Sequence, residues 1–215
     1  MKQFSEQKHH ALMAALICRQ VCLQRPKNSP EIVRKVVSDY GTFRGRLVRD
    51  NVLSMGDALT VTNYMAYKSL HYLPGTFIDN VIDNDPDLIT QVIKCCSMEI
   101  LKKHGLADYG KMHCKYCDAA MIKAYNSDIA VEIPQQMEQD GSDSCIFVWR
   151  GFQVNYQELK DKKKQLGDRF VLTWQQLTHH LVSCAKASLD EIEEGLSDRI
   201  VTAALMEFEA LPDSE

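Results

Sequence analysis

Apolar residues in this chain recur every three or four positions almost everywhere, and alternate with period two in only two short runs, Ile129-Val131-Ile133 and Cys145-Phe147-Trp149. The first spacing lays a stripe along a helix; the second lays one face along a strand. A chain patterned this way is expected to fold as a mainly helical α+β protein with a small antiparallel sheet around residues 128–150. Gln139-Asp140-Gly141-Ser142 supplies the turn between its strands. With 215 residues, 45% of them hydrophobic, the chain can bury a sizeable core. One domain over 1–215 is expected: N-terminal helices in 1–110, a central helix and sheet in 111–151, and C-terminal helices in 155–210.

Capping and breaking residues place the helices. A helix from Phe4 to Leu23 ends before Arg25-Pro26. Ser29 caps the next, with Pro30 in its first turn, and its apolar pattern runs toward Leu53. Gly41, Gly45 and Arg49 follow one another at intervals of four, a shallow groove with a guanidinium at its end. Close helix packing, or a break at Gly41, is the plain reading of the glycines. Asp57 reads as the cap of a helix over Ala58–Tyr72, ended by His71-Tyr72-Leu73-Pro74-Gly75. Asn80–Leu88 reads as a polar loop, with Asp85 capping a helix to His104 that Gly105 closes. The central helix follows to Tyr125. Beyond Asn155 the chain is helical again, with DKKK at Asp161–Lys164 as a solvated face. One further helix spans Asp168–Ala187, and another, opened by a Ser188–Glu191 capping box, reaches about Phe208.

Composition narrows the function classes. Twenty-five basic against 29 acidic residues give a net charge of −4, which is no footprint for nucleic acid or an anionic membrane. The run ALMAALIC, Ala11–Cys18, is interrupted by Arg19-Gln20 and lacks a small-residue cleavage site, and no segment reaches the roughly 18 apolar residues of a membrane span. Eight cysteines in a chain of this length do not resemble a small disulfide scaffold, so reduced thiols and a cytoplasmic location are expected. The remaining partners are small molecules and proteins, with a homo-oligomer left open.

The unusual chemistry lies between Cys114 and Arg150. Two thiols, Cys114 and Cys117, a carboxylate, Asp118, and an amide, Asn126, fall within thirteen residues, and a third thiol, Cys145, opens a strand. On a helix Cys114 and Asp118 share a face, since they are four apart. Cys114, Cys117, Met121, Ala124 and Tyr125 form an inward stripe that Asp118 borders, so its carboxylate must be paired, hydrogen-bonded or protonated. Buried core thiols, a structural carboxylate and a helix-ending asparagine are the plain readings of these residues.

The order Cys114, Asp118, Asn126, Cys145, preceded by Cys96 and Gly105-Leu106, together with YGTFRGRLVR from Tyr40 to Arg49, resembles the L-2-amino-thiazoline-4-carboxylic acid hydrolase family over roughly Tyr40–Arg150. The resemblance implies hydrolysis of a cyclic amidine toward a carbamoyl-cysteine, without a cofactor. Asp118 would pair with the amidine or act as base, Asn126 would donate to developing charge, and Cys114 would be a nucleophile, given a base such as His104 or His71. His113 is a poor partner for Cys114, because adjacent helical residues point about 100° apart. Arg46 or Arg49 would anchor the substrate carboxylate, and Cys145 would be a further substrate-binding residue.

Two other classes compete. His113, Cys114, Cys117 and Cys145, or the Cys95-Cys96 pair, offer ligand types for a tetrahedral zinc, which would suit a non-catalytic sensing module distantly similar to small-molecule-binding domains of the vinyl-reductase four type. An interaction protein without chemistry would need only the amphipathic helices and the acidic tail Glu207–Glu215.

Overall fold

The computed structural model describes residues 5–67, 70, 72, 74–137 and 141–212. Eight helices and four strands are present among them: α1 (Glu6–Gln24), α2 (Ser29–Ser54), α3 (Val61–Ala66), β1 (Phe77–Asn84), β2 (Leu88–Cys95), α4 (Cys96–Lys103), α5 (Ala107–Tyr125), β3 (Val131–Gln135), β4 (Cys145–Trp149), α6 (Tyr156–Leu166), α7 (Trp174–Ile192) and α8 (Leu196–Ala210). The mainly helical α+β class is therefore as its periodicity dictates. The chain forms two compact units: Met1–Tyr40, Cys95–Cys117 and Thr173–Glu215 make the first, Gly41–Lys94 and Asp118–Leu172 the second.

In the first unit α1 is the central element, packed against α4, α7 and α8. The eight consecutive residues Ala11–Cys18 are all buried, so the helix is surrounded on every side, as an all-round apolar sequence requires. Glu207 on α8 accepts from Arg19 at 2.5 Å and from Gln20 at 2.7 Å on α1, so this residue of the acidic tail is tied down. The expected start of α7 at Asp168 is displaced. Gly167, at φ +51°, ends α6, and Thr173 makes a reciprocal capping box with Gln176. Ser188, expected as a cap, lies inside α7 instead, its hydroxyl 2.7 Å from Asp39 Oδ2 and 2.9 Å from Cys184 O. The capping of α8 falls to Asp190, whose two oxygens accept from Ser197 N at 3.1 Å and from Ser197 Oγ at 2.8 Å.

The second unit carries an antiparallel sheet of order β1-β2-β4-β3. Leu88 pairs with Trp149 and Val92 with Cys145 across β2 and β4, and Val131 pairs with Trp149 across β3 and β4. The expected strands at 128–133 and 145–149 are its β3 and β4. The expected polar loop at Asn80–Leu88 and helix from Asp87 to His104 are corrected: a hairpin occupies Phe77–Cys95, and only Cys96–Lys103 is helical. Leu88 and Val92, four apart, share a face in a strand as in a helix, so the inward spacing did not discriminate. Ile93, next to Val92 and turned the other way in the strand, is 45% exposed. Asp57 does not cap α3 either. Thr60 does, accepting from Asn63 N at 3.1 Å, and the helix covers only Val61–Ala66. Behind the sheet, the Tyr64 ring packs at a tilt against Tyr125 at 5.1 Å and Trp149 at 5.7 Å in a core that includes Val48, Val52, Leu88 and Ile122.

α2 runs unbroken through Gly41 and Gly45. A Cβ on Gly45 would lie 2.1 Å from Met121 O and 2.9 Å from Ala124 Cβ, so α2 and α5 approach here as only glycine allows.

Candidate functional site

Helix α5 begins two residues after Gly105, which ends the preceding turn at φ +67°, and continues without interruption to Tyr125. Cys114 and Asp118 therefore stand one helical turn apart, and both are half-buried. Cys117 is 2% exposed, on the part of the helix that belongs to the first unit. On α1 of that unit, burial and the neighbouring Cys22 thiol push Cys18 up to about 12, with Cys117 adding a smaller contribution in the same direction. Cys18 is thus an inert core thiol. All eight cysteines are thiols.

Beside Cys114, the first unit gathers side chains from four helices that no local motif would join. His10 on α1 is 6% exposed and lies with its ring 5.9 Å from Tyr40 on α2, 6.4 Å from His113 on α5 and 5.5 Å from Trp174 on α7. The Tyr40 ring in turn lies 6.0 Å from that of His113, tilted by 37°. Thr178 Oγ1, which donates to Trp174 O at 2.8 Å, lies 3.2 Å from His10 Nδ1. The Tyr40 hydroxyl, which donates to Leu177 O at 3.4 Å, lies 3.5 Å from His10 Nε2. His10 follows His9 directly and precedes the apolar run of α1. Helical periodicity puts it inward, but no local motif marks it.

The second unit holds the other expected residues. Arg49 Nη1 donates to Tyr125 O at 3.0 Å, at the last turn of α5. Arg46 is exposed, and the buried guanidinium of this helix is Arg44, 8% exposed, which the spacing from Gly41 and Gly45 did not select. Asn126 ends α5: its Nδ2 donates to Leu59 O at 2.9 Å and its Oδ1 accepts from Asp128 N at 3.0 Å. Tyr125, its phenol pushed up by burial, donates to Thr60 O at 2.9 Å. Cys145 opens β4, and its Sγ accepts from Met137 N at 3.1 Å.

Of the bases expected for Cys114, His104 is the residue that ends α4, and His71 lies outside the described residues. Among the described residues no three His, Cys, Asp or Glu side chains converge to hold a metal ion, the set His113, Cys114, Cys117 and Cys145 included. No described helix is long and apolar enough to cross a membrane.

A family model described as L-2-amino-thiazoline-4-carboxylic acid hydrolase matches residues 5–149. The match extends back from Tyr40 to include α1, and forward through α5 to the end of β4. No curated protein and no solved structure matches the chain.

Proposed function

The chain belongs to the L-2-amino-thiazoline-4-carboxylic acid hydrolase family, and from that membership we propose that it hydrolyses a small cyclic amidine bearing a carboxylate, opening a C–N or C–S bond of the ring toward a carbamoyl-cysteine. The observation that carries the reading is the pair Cys114 and Asp118, a half-buried thiol and a half-buried carboxylate one turn apart on α5, within the matched residues. An amidinium presents two N–H donors in a plane, and a carboxylate accepts both. Asp118 is assigned that role. Cys114 is assigned the attack on the carbon between the ring sulfur and nitrogen.

The electrons and protons balance as follows. The Cys114 thiol gives up its proton to the departing ring atom as its sulfur bonds to that carbon and one ring bond breaks, the electron pair of that bond going to the same atom. Water then adds at the same carbon, gives up a proton, and expels the Cys114 sulfur, which takes that proton up and is a thiol again. The net change is the addition of one water to the substrate. Arg46, exposed on α2, is the better placed of the two arginines to meet a carboxylate, because Arg49 already donates to Tyr125 O.

The test is turnover of 2-amino-thiazoline-4-carboxylate, read as carbamoyl-cysteine by mass. Asp118→Asn is expected to abolish it while thermal unfolding stays nearly unchanged. Survival of activity in that variant makes Asp118 structural and removes its assigned role, and a wild-type protein inert toward the amidine removes the reading altogether.

A further inference from the structure

We propose that β1 is a docking edge for a cationic, extended segment of another protein, which adds to the four-stranded sheet as a further strand. The surface lies wholly within the second unit and is independent of the hydrolase reading. Among the described residues β1 has a strand neighbour on one side only, β2, so the backbone N–H and C=O groups of its outer side face solvent. Six consecutive residues, 78–83, are exposed, so both faces of the strand are open as well as its edge.

The strand is nonetheless held at both ends. Phe77 stacks on Tyr72 with ring centroids 4.2 Å apart. Asn84 exchanges two hydrogen bonds with the backbone of Val154, donating to its carbonyl at 3.1 Å and accepting from its N–H at 2.9 Å. A preformed edge lowers the ordering cost of binding. The opposite edge of the sheet, β3, is closed to the same use. Pro134 lacks an N–H, the pairing with β4 shifts register between Glu132 and Gln135, and Glu132 is paired with Arg150 at 2.7 Å. β1 contains neither proline nor lysine.

The side chains of β1 select what covers it. Alternation puts Ile78 and Ile82, 38 and 54% exposed, on one face, and Asp79, Val81 and Asp83 on the other. Residues 77–94 carry Asp79, Asp83, Asp85 and Asp87 against Lys94 alone. Arg150 meets Asp87 at 2.8 Å, whereas neither Asp79 nor Asp83 has a cationic partner among the described residues. A second copy of the chain does not fit. Two antiparallel β1 strands related by a two-fold axis keep each residue on the same face in both copies. Asp79 and Asp83 then stand opposite or diagonal to their counterparts in every register that pairs most of the strand, and like charges so placed are destabilising. A strand with lysine or arginine at positions four apart instead meets both carboxylates, while its alternate apolar side chains cover Ile78 and Ile82. Main-chain hydrogen bonds supply the affinity, and charge supplies the choice of partner.

The probe is the capped octapeptide Lys-Val-Thr-Val-Lys-Val-Thr-Val, titrated at low salt into the full 15N-labelled chain. Two further peptides accompany it, one with glutamate for lysine and one with proline at its third and sixth residues. The lysine peptide is expected to shift the amide signals of residues 78–83 and to bind about tenfold more tightly than the glutamate peptide. Proline removes a ladder donor on each edge and leaves the charge, and should weaken binding about tenfold. Asp79→Asn combined with Asp83→Asn should weaken the lysine peptide about threefold to tenfold and bring it level with the glutamate one. A lysine peptide that does not bind, that binds no better than the glutamate peptide, or that shifts only other residues overturns the proposal. So does a proline peptide that binds as well, because charge alone then holds it. A chain that sediments as a dimer with its β1 amides protected from hydrogen exchange assigns the edge to a second copy and overturns it too. If the double variant fails to fold, the three peptides on the wild type decide.

Discussion

Arg49 on α2 donates from Nη1 to the carbonyl of Tyr125, 3.0 Å away, in the last turn of α5. The last four carbonyls of a helix have no partner within it, and a cation at that end also meets the negative pole of the helix. Hydrogen bonds to charged groups contribute about 1.5–3 kcal/mol. Arg49→Ala is therefore expected to lower the unfolding free energy by about 1–3 kcal/mol, and Arg49→Lys to recover only part of it, since an ammonium lacks the planar fork. Urea unfolding reads this directly. A variant of unchanged stability whose KM for the amidine rises would return Arg49 to the role of carboxylate anchor.

Gly45 tests the same helix pair from the other side. By helix propensity alone, Gly45→Ala would stabilise α2 by about 1 kcal/mol. The added Cβ, however, would stand 2.1 Å from Met121 O, a backbone atom that can move only with α5. The expected outcome is a loss of roughly 3 kcal/mol or more, or failure to fold, opposite in sign to the propensity effect. A stabilised Gly45→Ala protein would refute the close approach of the two helices.

These two contacts also mark how far the sequence could be read. The spacing of Gly41, Gly45 and Arg49 pointed to a crowded helix face, and the structure places a helix there. What spacing could not give is the partner: nothing local says that Met121 and Tyr125 are what Gly45 and Arg49 meet. The same limit explains His10, whose neighbours Tyr40, His113 and Thr178 come from three other helices. The hairpin Phe77–Cys95 failed for a different reason. Leu88 and Val92 satisfy both periods, and β1 offers no buried face to betray it, with Val81 43% and Ile82 54% exposed. The strands β3 and β4 were legible because their apolar residues alternate with nothing to compete.

The thiols divide by burial. Cys18, Cys96 and Cys117 are 2, 7 and 2% exposed, while the other five are half-buried. A thiol reagent at pH 8 is expected to modify no more than five cysteines in the native protein and all eight in denaturant. Cys184 should react slowly, because burial and the charge of Asp39 push its thiol up and leave little thiolate. Saturating amidine should protect Cys114, with peptide mapping to identify it. Chelator is expected to leave the count unchanged, since His113, Cys114, Cys117 and Cys145 do not converge as a metal site. Release of about one zinc per chain with new reactivity at Cys114 and Cys117 would instead establish the metal-stabilised reading.

Asp57 should give the second unit a pH-dependent share of its stability. Its carboxylate accepts from Lys162 Nζ at 2.7 Å and from the Tyr67 hydroxyl, and these two hydrogen bonds, the lysine's first, hold it below the usual carboxylate range. Both charged side chains are about a fifth exposed, at 22% for Asp57 and 19% for Lys162, so solvent screens the pair only in part. A carboxyl depressed in the folded state stabilises fully above its unfolded value, about 3.9, and loses that contribution as pH falls through the folded value. On the alkaline side burial and the Asp57 charge push Tyr67 up, so its contribution is complete below about pH 10 and is lost above it. Asp57→Asn removes the charge and keeps the shape. The wild type is expected to exceed this variant by about 1–2 kcal/mol at any pH from 5 to 8, and the difference should shrink steadily below pH 4 until it vanishes. Thermal unfolding of the two proteins at pH 3, 5 and 7 measures it. A difference that stays constant down to pH 3 would mean that Asp57 acts through packing, because only a charge that titrates can produce the convergence.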